Sequence, residues 1–575
     1  MCRATMVGSV AMAVSLACWP AAAAESPLEG IPDTAVMLVR LKSPEATIKK
    51  VADFAGRIKE DYRTLVTNAA HSLGALISNP EEAGVDRKRD WWLVVICKSG
   101  DAADVVFGIP AADEMVMKRA LGERFKFASY ENWVFYTESE HALAEFEARK
   151  AGKRKSASSA FDPRSRELFD KSDLAAYINV HELRRARRKE IDALKMRAKQ
   201  FIEQLGAADT SIPSPGMDMG AAFKLYADVA SGLFQVVEDA EGVACGANLH
   251  DNGIDVEAGL IVARSTRTDR FLERNPPSEM KTLGRLPRDK VIYYGLAGDI
   301  SEVSQWGARV AATMFKGNEK VQKKYAEARK ALAGLQLKGQ YGTFSIAHPN
   351  EGVLWYSTVT EVDQPDKMRD ITIQVLEATT KLATRHAITT VAVKPNAERV
   401  GDHRVDLVTV KMLVDPAKDP MGISTNFMNI MYGPEGMFTR LSTLPGLLVQ
   451  SVGGGKPVFD GLMHTLESNQ GAAGQPAWAT ARRGMPAKAN GIVLVDAPRL
   501  ATEVLLVLAE LKLPFLSVDG AAIADLQKDL DASYLGIAVA NEPHGVRLNV
   551  HVPFEQAKGI AKVIEFTRSE VSVGR

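Results

Sequence analysis

A pattern repeated four times along 575 residues constrains this fold more than any motif does. Each copy reads as a short apolar strand, an amphipathic helix, a two-stranded hairpin closed at a Gly, and a further helix. Self-similarity on this scale marks an architecture assembled from like units, each burying its apolar face against its neighbours. The opening strand is read at Thr34–Leu41, Leu174–Val180, Val291–Ala297 and Ile492–Val495. The hairpins follow at Trp91–Ile109, Gly242–Val262, Tyr341–Thr360 and Tyr534–Val552, turning near Ser99-Gly100, Asp251-Asn252-Gly253, Asn350-Glu351-Gly352 and Pro543-His544-Gly545. The pair Asn252-Gly253 predicts a type I′ turn, which needs positive φ at both central residues.

The return strands predict their faces. Ile254, Val256 and Ala258 alternate with Asp255 and Glu257, and Val546, Leu548, Val550 and Val552 alternate with Arg547, Asn549 and His551. A period of two predicts an antiparallel sheet with the apolar side buried under helices and the polar side wet. Among the helices, Ile48, Val51, Ala55 and Ile58 share a face, as do Leu194, Ala198, Phe201 and Leu205, so both stripes are expected in the core. Ser43 before Pro44, Asp299 three before Glu302, and Asp496 before Pro498 are read as helix starts.

Copies one and three carry an extra strand–turn–strand–helix tail, at Phe125–Thr137 with a helix from Glu140, and at Met437–Gln450 with a helix near Val458–Leu466. Copy three also has an added strand pair near Thr390–Val393 and Val405–Leu413. The order long, short, long, short predicts two similar halves. The expected class is α+β, with repeated strand-helix-hairpin-helix units forming mainly antiparallel sheets and helices packed on one face. The chain then divides into a first half at 25–275 (units at about 30–150 and 172–275), a linker at 276–288 marked by Pro276-Pro277, and a second half at 289–575 (units at about 289–470 and 489–570). Further breaks are read at 150–159 and 469–488 from their Ser, Gly, Pro and Ala content.

Residues 1–24 read as a secretory signal peptide: Arg3, the apolar run Met6–Trp19, the breaker Pro20, and Ala21–Ala24 beside the cut. The run is shorter than the roughly 20 residues that span a bilayer. Ser15 stands where a lipobox usually carries Leu, so acylation of Cys18 is not expected. The expectation is an exported protein, periplasmic or extracellular, with no transmembrane span after cleavage. Lys+Arg and Asp+Glu balance at 71 each, which leaves no global field to draw nucleic acid or anionic lipid. Cys97 and Cys245 survive cleavage; they read as two small buried hydrophobes in preference to the bridge that an oxidising compartment would permit.

Catalytic signatures are missing. Ten histidines form no His-x-His and no HExxH. His464 and Glu467 share a helix face, a spacing that usually gives a surface contact. Gly453-Gly454-Gly455-Lys456 resembles part of a phosphate loop, but Gln450 and Pro457 replace its first Gly and its Ser/Thr. Ser278-Glu279-Met280-Lys281 matches S-x-x-K without partner motifs, and no G-x-S-x-G occurs. Asp525, Asp529 and Asp531 do not fit a calcium loop. The basic run Arg184, Arg185, Arg187, Arg188 and Lys189 has acids nearby and is expected to be a solvated helix face. Trp91 and Trp92 must point to opposite faces of a strand; one is expected in the core, the other as a ligand platform or a helix cover. No catalytic, cofactor-binding or metal-binding residue is assigned, and no cofactor is expected.

On "IPDTAVMLVRLKSPEATIKKV", "DLAAYINVHELR", "NGIVLVDAPRL" and "YLGIAVANEPHGVRLNVHVPF", the chain resembles a group of exported bacterial proteins of a type common in planctomycetes. The resemblance covers most of the mature chain. It implies export and this architecture, and it carries no activity or catalytic residue. The leading expectation is therefore a non-catalytic cell-envelope protein that binds or scaffolds an envelope protein, polymer or apolar ligand across its repeated sheets. The alternatives are an extracytoplasmic hydrolase with a site assembled from distant residues, and a carrier of lipid or another apolar ligand.

Overall fold

The structure is a computed structural model, described for residues 26–98, 103–207, 231–314, 318–346, 352–380, 387–414, 417, 419, 422–510, 516–517, 519–570 and 572–573. The stretch read as a signal peptide and the turn read at Ser99-Gly100 lie outside the described residues.

Up to residue 150 the chain forms β1 (Ala35–Leu41), β2 (Trp91–Cys97), β3 (Ala103–Pro110), β4 (Lys126–Tyr130) and β5 (Trp133–Thr137). Next come β6 (Leu174–Asn179), β7 (Ala240–His250) and β8 (Gly253–Val262). Then follow β9 (Ile292–Ala297), β10 (Leu337–Ile346), β11 (Leu354–Val362), β12 (Ala387–Val400), β13 (His403–Val414), β14 (Met437–Leu444) and β15 (Leu447–Val452). The chain closes with β16 (Gly491–Val495), β17 (Leu516–Ser517), β18 (Leu535–Glu542), β19 (Gly545–Pro553) and β20 (Ser572–Val573). Apart from the small β17–β20 pair, these strands form one continuous sheet of 18 strands. Every pairing is antiparallel, in the order β4-β5-β3-β2-β1-β6-β7-β8-β19-β18-β16-β9-β10-β11-β15-β14-β13-β12. The α+β class and the added pair β12–β13 are as expected.

The ribbon is joined at its middle by β8 and β19, whose nine pairs run from Gly253↔Pro553 to Ile261↔Gly545 with Glu257 opposite Asn549. Its two edges are β4 and β12. In β12 the register slips between Lys394 and Glu398, around Pro395 and an Asn396 held at φ 52°.

Between an opening strand and its hairpin the chain makes helices in pairs, where the sequence suggested one. Pro44–Ile58 and Glu60–Ala70 lie between β1 and β2, and Lys59 in extended conformation separates them. Ser301–Met314 and Glu319–Leu332 lie between β9 and β10, the second started by an Asn318 side chain that accepts from the Val321 N–H. Ala497–Glu510 and Gly520–Lys528 lie between β16 and β18. Asp496 takes the Arg499 N–H at 3.3 Å as a cap should. Ser43 does not cap: it sits at φ 34° with no side-chain bond, and its own N–H goes to Asp90. Asp299 accepts from Ser301 instead of closing a box with Glu302.

Helices cover both faces of the sheet, not one. On the first face Leu38, Trp92, Tyr177, Ile492, Tyr293 and Tyr341 are buried, under the helices Glu140–Lys150, Pro163–Lys171, Gly455–Ser468 and Pro476–Arg483. On the second face only the outer ends are sealed. Trp91, Ile109 and Tyr136 pack on Met117 and Leu121 at one end, and Val408, Leu441 and Leu448 pack with Leu332 and Ile371 at the other. Trp91 and Trp92 are thus both core residues. The linker read at 276–288 is packed too: Met280, Leu283 and Leu286 are buried in the same core as Tyr293. Within the break read at 469–488, Trp478 and Ala481 are buried on a helix. Among the described residues no helix is long and apolar enough to cross a membrane.

Candidate functional site: a half-open apolar sheet face

Between its sealed ends, the second face is apolar and only partly covered. Register sets its composition. Ile254, Val256, Ala258 and Leu260 of β8 lie opposite Val552, Val550, Leu548 and Val546 of β19. On one side β7 continues the rows with Val243 opposite Leu260 and Cys245 opposite Ala258. On the other, β18 adds Ile537 opposite Val550 and Val539 opposite Leu548. The rows extend through Met37 and Val39 of β1 to Val95 of β2, and through Val493 of β16 to Tyr294 of β9. From β2 to β9 this is a span of roughly 40 Å at the usual strand spacing of about 4.8 Å.

Val256 and Leu548 are each 37% exposed, and the other side chains in these rows are half-buried. The sequence reading assigned these residues to a sealed core. The helix stripes assigned to the core are open as well: Val51 and Leu194 are exposed, and Phe201 is 60% exposed. In Pro44–Ile58 the buried residues are Pro44, Ala52 and Phe54 instead. The helices therefore border the face without closing it. Phe54 meets Phe554 edge-on at 5.4 Å and Arg57 covers the Phe554 ring at 4.1 Å, which ties helix Pro44–Ile58 to helix Phe554–Glu570. Arg187 approaches Cys97 Sγ at 3.8 Å, which brings the basic run to the rim of the same face.

The polar side of β8 and β19, expected to be wet, is the better covered one. His551 is 3% exposed and its Nδ1 lies 2.5 Å from Asp255, directly across the strands. Gly484 sits on top of this pair, and a Cβ there would come within 2.6 Å of the imidazole. Ion pairs continue along the junction: Arg547 bridges Glu257 and Glu542, Lys171 reaches Glu257, and Arg164 reaches Glu542. Opposite charges placed across a strand pair satisfy one another and allow the polar face to be covered. The complementarity of D-x-E in β8 with R-x-N-x-H in β19 was the available sequence signal.

Two other clusters are chemically notable. Asp269, Glu273 and His544 bring ligand atoms within 4.8 Å of one another, the one such group among the described residues. Asp269 already accepts from the Ser265 N–H at 2.7 Å and pairs with His544 Nδ1 at 2.9 Å, and the His544 bond holds its carboxyl below the usual value. At the start of helix Ala497–Glu510, burial pushes the Asp496 and Glu503 carboxyls up and the Lys290 ammonium down. These groups face Arg499 and backbone donors, which makes them parts of the helix start.

The residues that stood out in the sequence are dispersed. Glu467, on helix Gly455–Ser468, pairs at 2.8 Å with His403 of β13 and not with His464. Lys456 is held by Asp460 at 2.6 Å, and Gly453, Gly454 and Gly455 form the positive-φ turn from β15 into its helix. Ser278 pairs with Ala489 as an isolated bridge, while Lys281 goes to Glu279. The basic run is largely paired, Arg185 with Glu182, Arg187 with Glu190 and Arg188 with Asp192. Asp525 holds Lys528 and Asp531 holds Lys558. Cys97 and Cys245 are free and half-buried on the open face, where burial pushes the Cys245 thiol up. No family model, curated protein or solved structure matches the chain.

Proposed function

We propose that this is an exported, non-catalytic binding protein of the cell envelope, and that its ligand is a lipid or another molecule with a long apolar body, carried on the half-open face. The observation that carries the reading is the exposure of Val256 and Leu548 in the middle of an apolar row that crosses the sheet. An apolar face of this extent in water is costly unless something covers it. Each side chain that an occupant takes from half-exposed to buried contributes on the order of 1 kcal/mol.

We also infer that the halves read at 25–275 and 289–575 arose by duplication. Counted outward from the central junction, the strands run β8-β7-β6-β1-β2-β3-β5-β4 one way and β19-β18-β16-β9-β10-β11-β15-β14 the other. Corresponding strands fall in the same places. The junction itself is self-complementary: Gly253 meets Pro553 as Gly545 meets Ile261. An isologous contact has this form.

The test is titration of the purified, delipidated chain with a long-chain fluorescent fatty acid. Saturable binding is expected, weakened at least about tenfold, equivalent to about 1.4 kcal/mol, by Leu548→Asp together with Val256→Asp. Both positions are already partly exposed, so the variant should remain folded by circular dichroism. A folded parent that shows no saturable uptake, or a variant that binds as the parent does, overturns the reading.

A further inference from the structure

A cavity of about 430 Å³ opens on the opposite face of the sheet, lined by residues of β1, β2, β5 and helix Pro163–Lys171. At its base Arg40 and Trp92 stand directly opposite each other on β1 and β2, and they are 5% and 3% exposed. Arg40 is partly engaged. Its Nη1 donates to Asp90 at 3.1 Å, and its Nη2 donates to the carbonyls of Asp170 and Ser172 at 2.8 and 2.7 Å. Its Nε has no acceptor, and neither does Trp92 Nε1. Both residues line the cavity and each carries a buried donor without an acceptor; buried donors are almost always paired, so the two point to an acceptor that belongs there.

The surroundings favour negative charge. Arg40, Lys88, Arg89 and Arg166 line the cavity against Asp90 and Asp170. Both acids are committed: Asp90 also accepts from the Ser43 N–H at 3.1 Å, and Asp170 holds Arg166 at 2.5 Å. Lys88 and Arg89 have no ion pair among the described residues. The Arg89 guanidinium instead lies 3.7 Å from the centre of the Trp133 ring, which fixes it at the cavity wall. Trp133 is itself anchored, its Nε1 donating to the Asp90 carbonyl at 3.2 Å.

We propose that this cavity binds a small ligand through an oxyanion, a carboxylate or a phosphate. Arg40 Nε and Trp92 Nε1 donate to it at the base, and Lys88 and Arg89 complete its neutralisation at the rim. Guanidinium and indole N–H groups suit such oxygens, and charge-assisted bonds out of water are the stronger kind. The site is independent of the apolar face.

The full chain is titrated at low salt with inorganic phosphate and, separately, with glucuronate, followed by tryptophan fluorescence and calorimetry. Saturable binding of at least one is expected. Selectivity for one of the two distinguishes a phosphate from a sugar-carboxylate source. Lys88→Ala with Arg89→Ala, both on the rim, should weaken it about tenfold or more and reduce its salt dependence. Trp92→Phe removes one orphan donor along with part of a core side chain; beyond any loss of stability in the free chain, it should weaken binding several-fold and shrink the ligand-induced rise in melting temperature. A packing role for the indole alone would lower the free chain's melting temperature and leave affinity unchanged. If neither anion titrates, or if the rim variant binds as the parent does, the proposal is wrong; the rim variant decides the matter even if Trp92→Phe fails to fold.

Discussion

Asp496 illustrates how a single buried carboxyl ties helix start to pH. It accepts the Arg499 N–H at the start of helix Ala497–Glu510, and burial pushes its carboxyl above the ordinary aspartate range. A raised native value means that the folded chain holds the proton more tightly than the unfolded one. Stability contributed by that proton is present below about pH 4, the unfolded value, and is lost as pH rises through the folded value. Asp496→Asn keeps an acceptor at the cap and removes the buried charge. We expect it to raise the urea midpoint at about pH 8, with the gain vanishing near pH 4. Gly253 shows the limit of reading residues in isolation. The sequence placed Gly253 in a type I′ turn, but the two-residue loop is Asp251-Asn252, neither of which has positive φ. The glycine is required one position later, at φ 152°, because a Cβ there would run into the Val552 carbonyl across the junction. Gly253→Ala should cost about 1–3 kcal/mol in urea denaturation. Local spacing announced a glycine turn; only the partner strand, some 300 residues away, explains which glycine and why.

At the scale of elements, the sequence pattern identified the strands of the large sheet and some of the helices, and it failed on burial. The Gly455–Ser468 helix was read nearly in place, and its Phe459, Leu462, Met463 and Leu466 are fully buried as a sealed stripe should be. The stripe at Leu194 and Phe201 has the same period and stands in solvent. Periodicity reports that a helix has an apolar side, not that the chain supplies something to put against it. The two should respond differently to truncation. Phe459→Ala should destabilise by about 3–5 kcal/mol, whereas Phe201→Ser should stay within about 0.5 kcal/mol of the parent. Urea melts of both variants measure the contrast. The open face and the oxyanion cavity were invisible for the same reason. Arg40 and Trp92 lie on strands joined by a helical connection of some 50 residues, and their missing bonds are a property of what surrounds them.

For the molecule as a whole, the β8–β19 junction makes one sheet of everything. Continuous pairing across nine residue pairs should make the two ends of the ribbon melt together, as a single calorimetric transition. Arg547 bridges Glu257 and Glu542 at that junction, so Arg547→Glu should weaken it, by on the order of 1 kcal/mol for so exposed a network, and broaden or split the transition. The sequence suggested four similar stretches in an order but could not show how they would join, because β8 and β19 lie about 300 residues apart in the chain. The slipped register of β12 has a consequence of its own. An unpaired strand at the margin of so long a ribbon offers a ready template for another molecule's backbone, and lateral growth from it would lead to fibres. Pro395 removes a donor there and Asn396 turns the backbone out of line, while Lys394, Glu398 and Arg399 place charge along the same stretch. On this side the margin is thereby spoiled as a template, and growth of the ribbon past β12 is disfavoured.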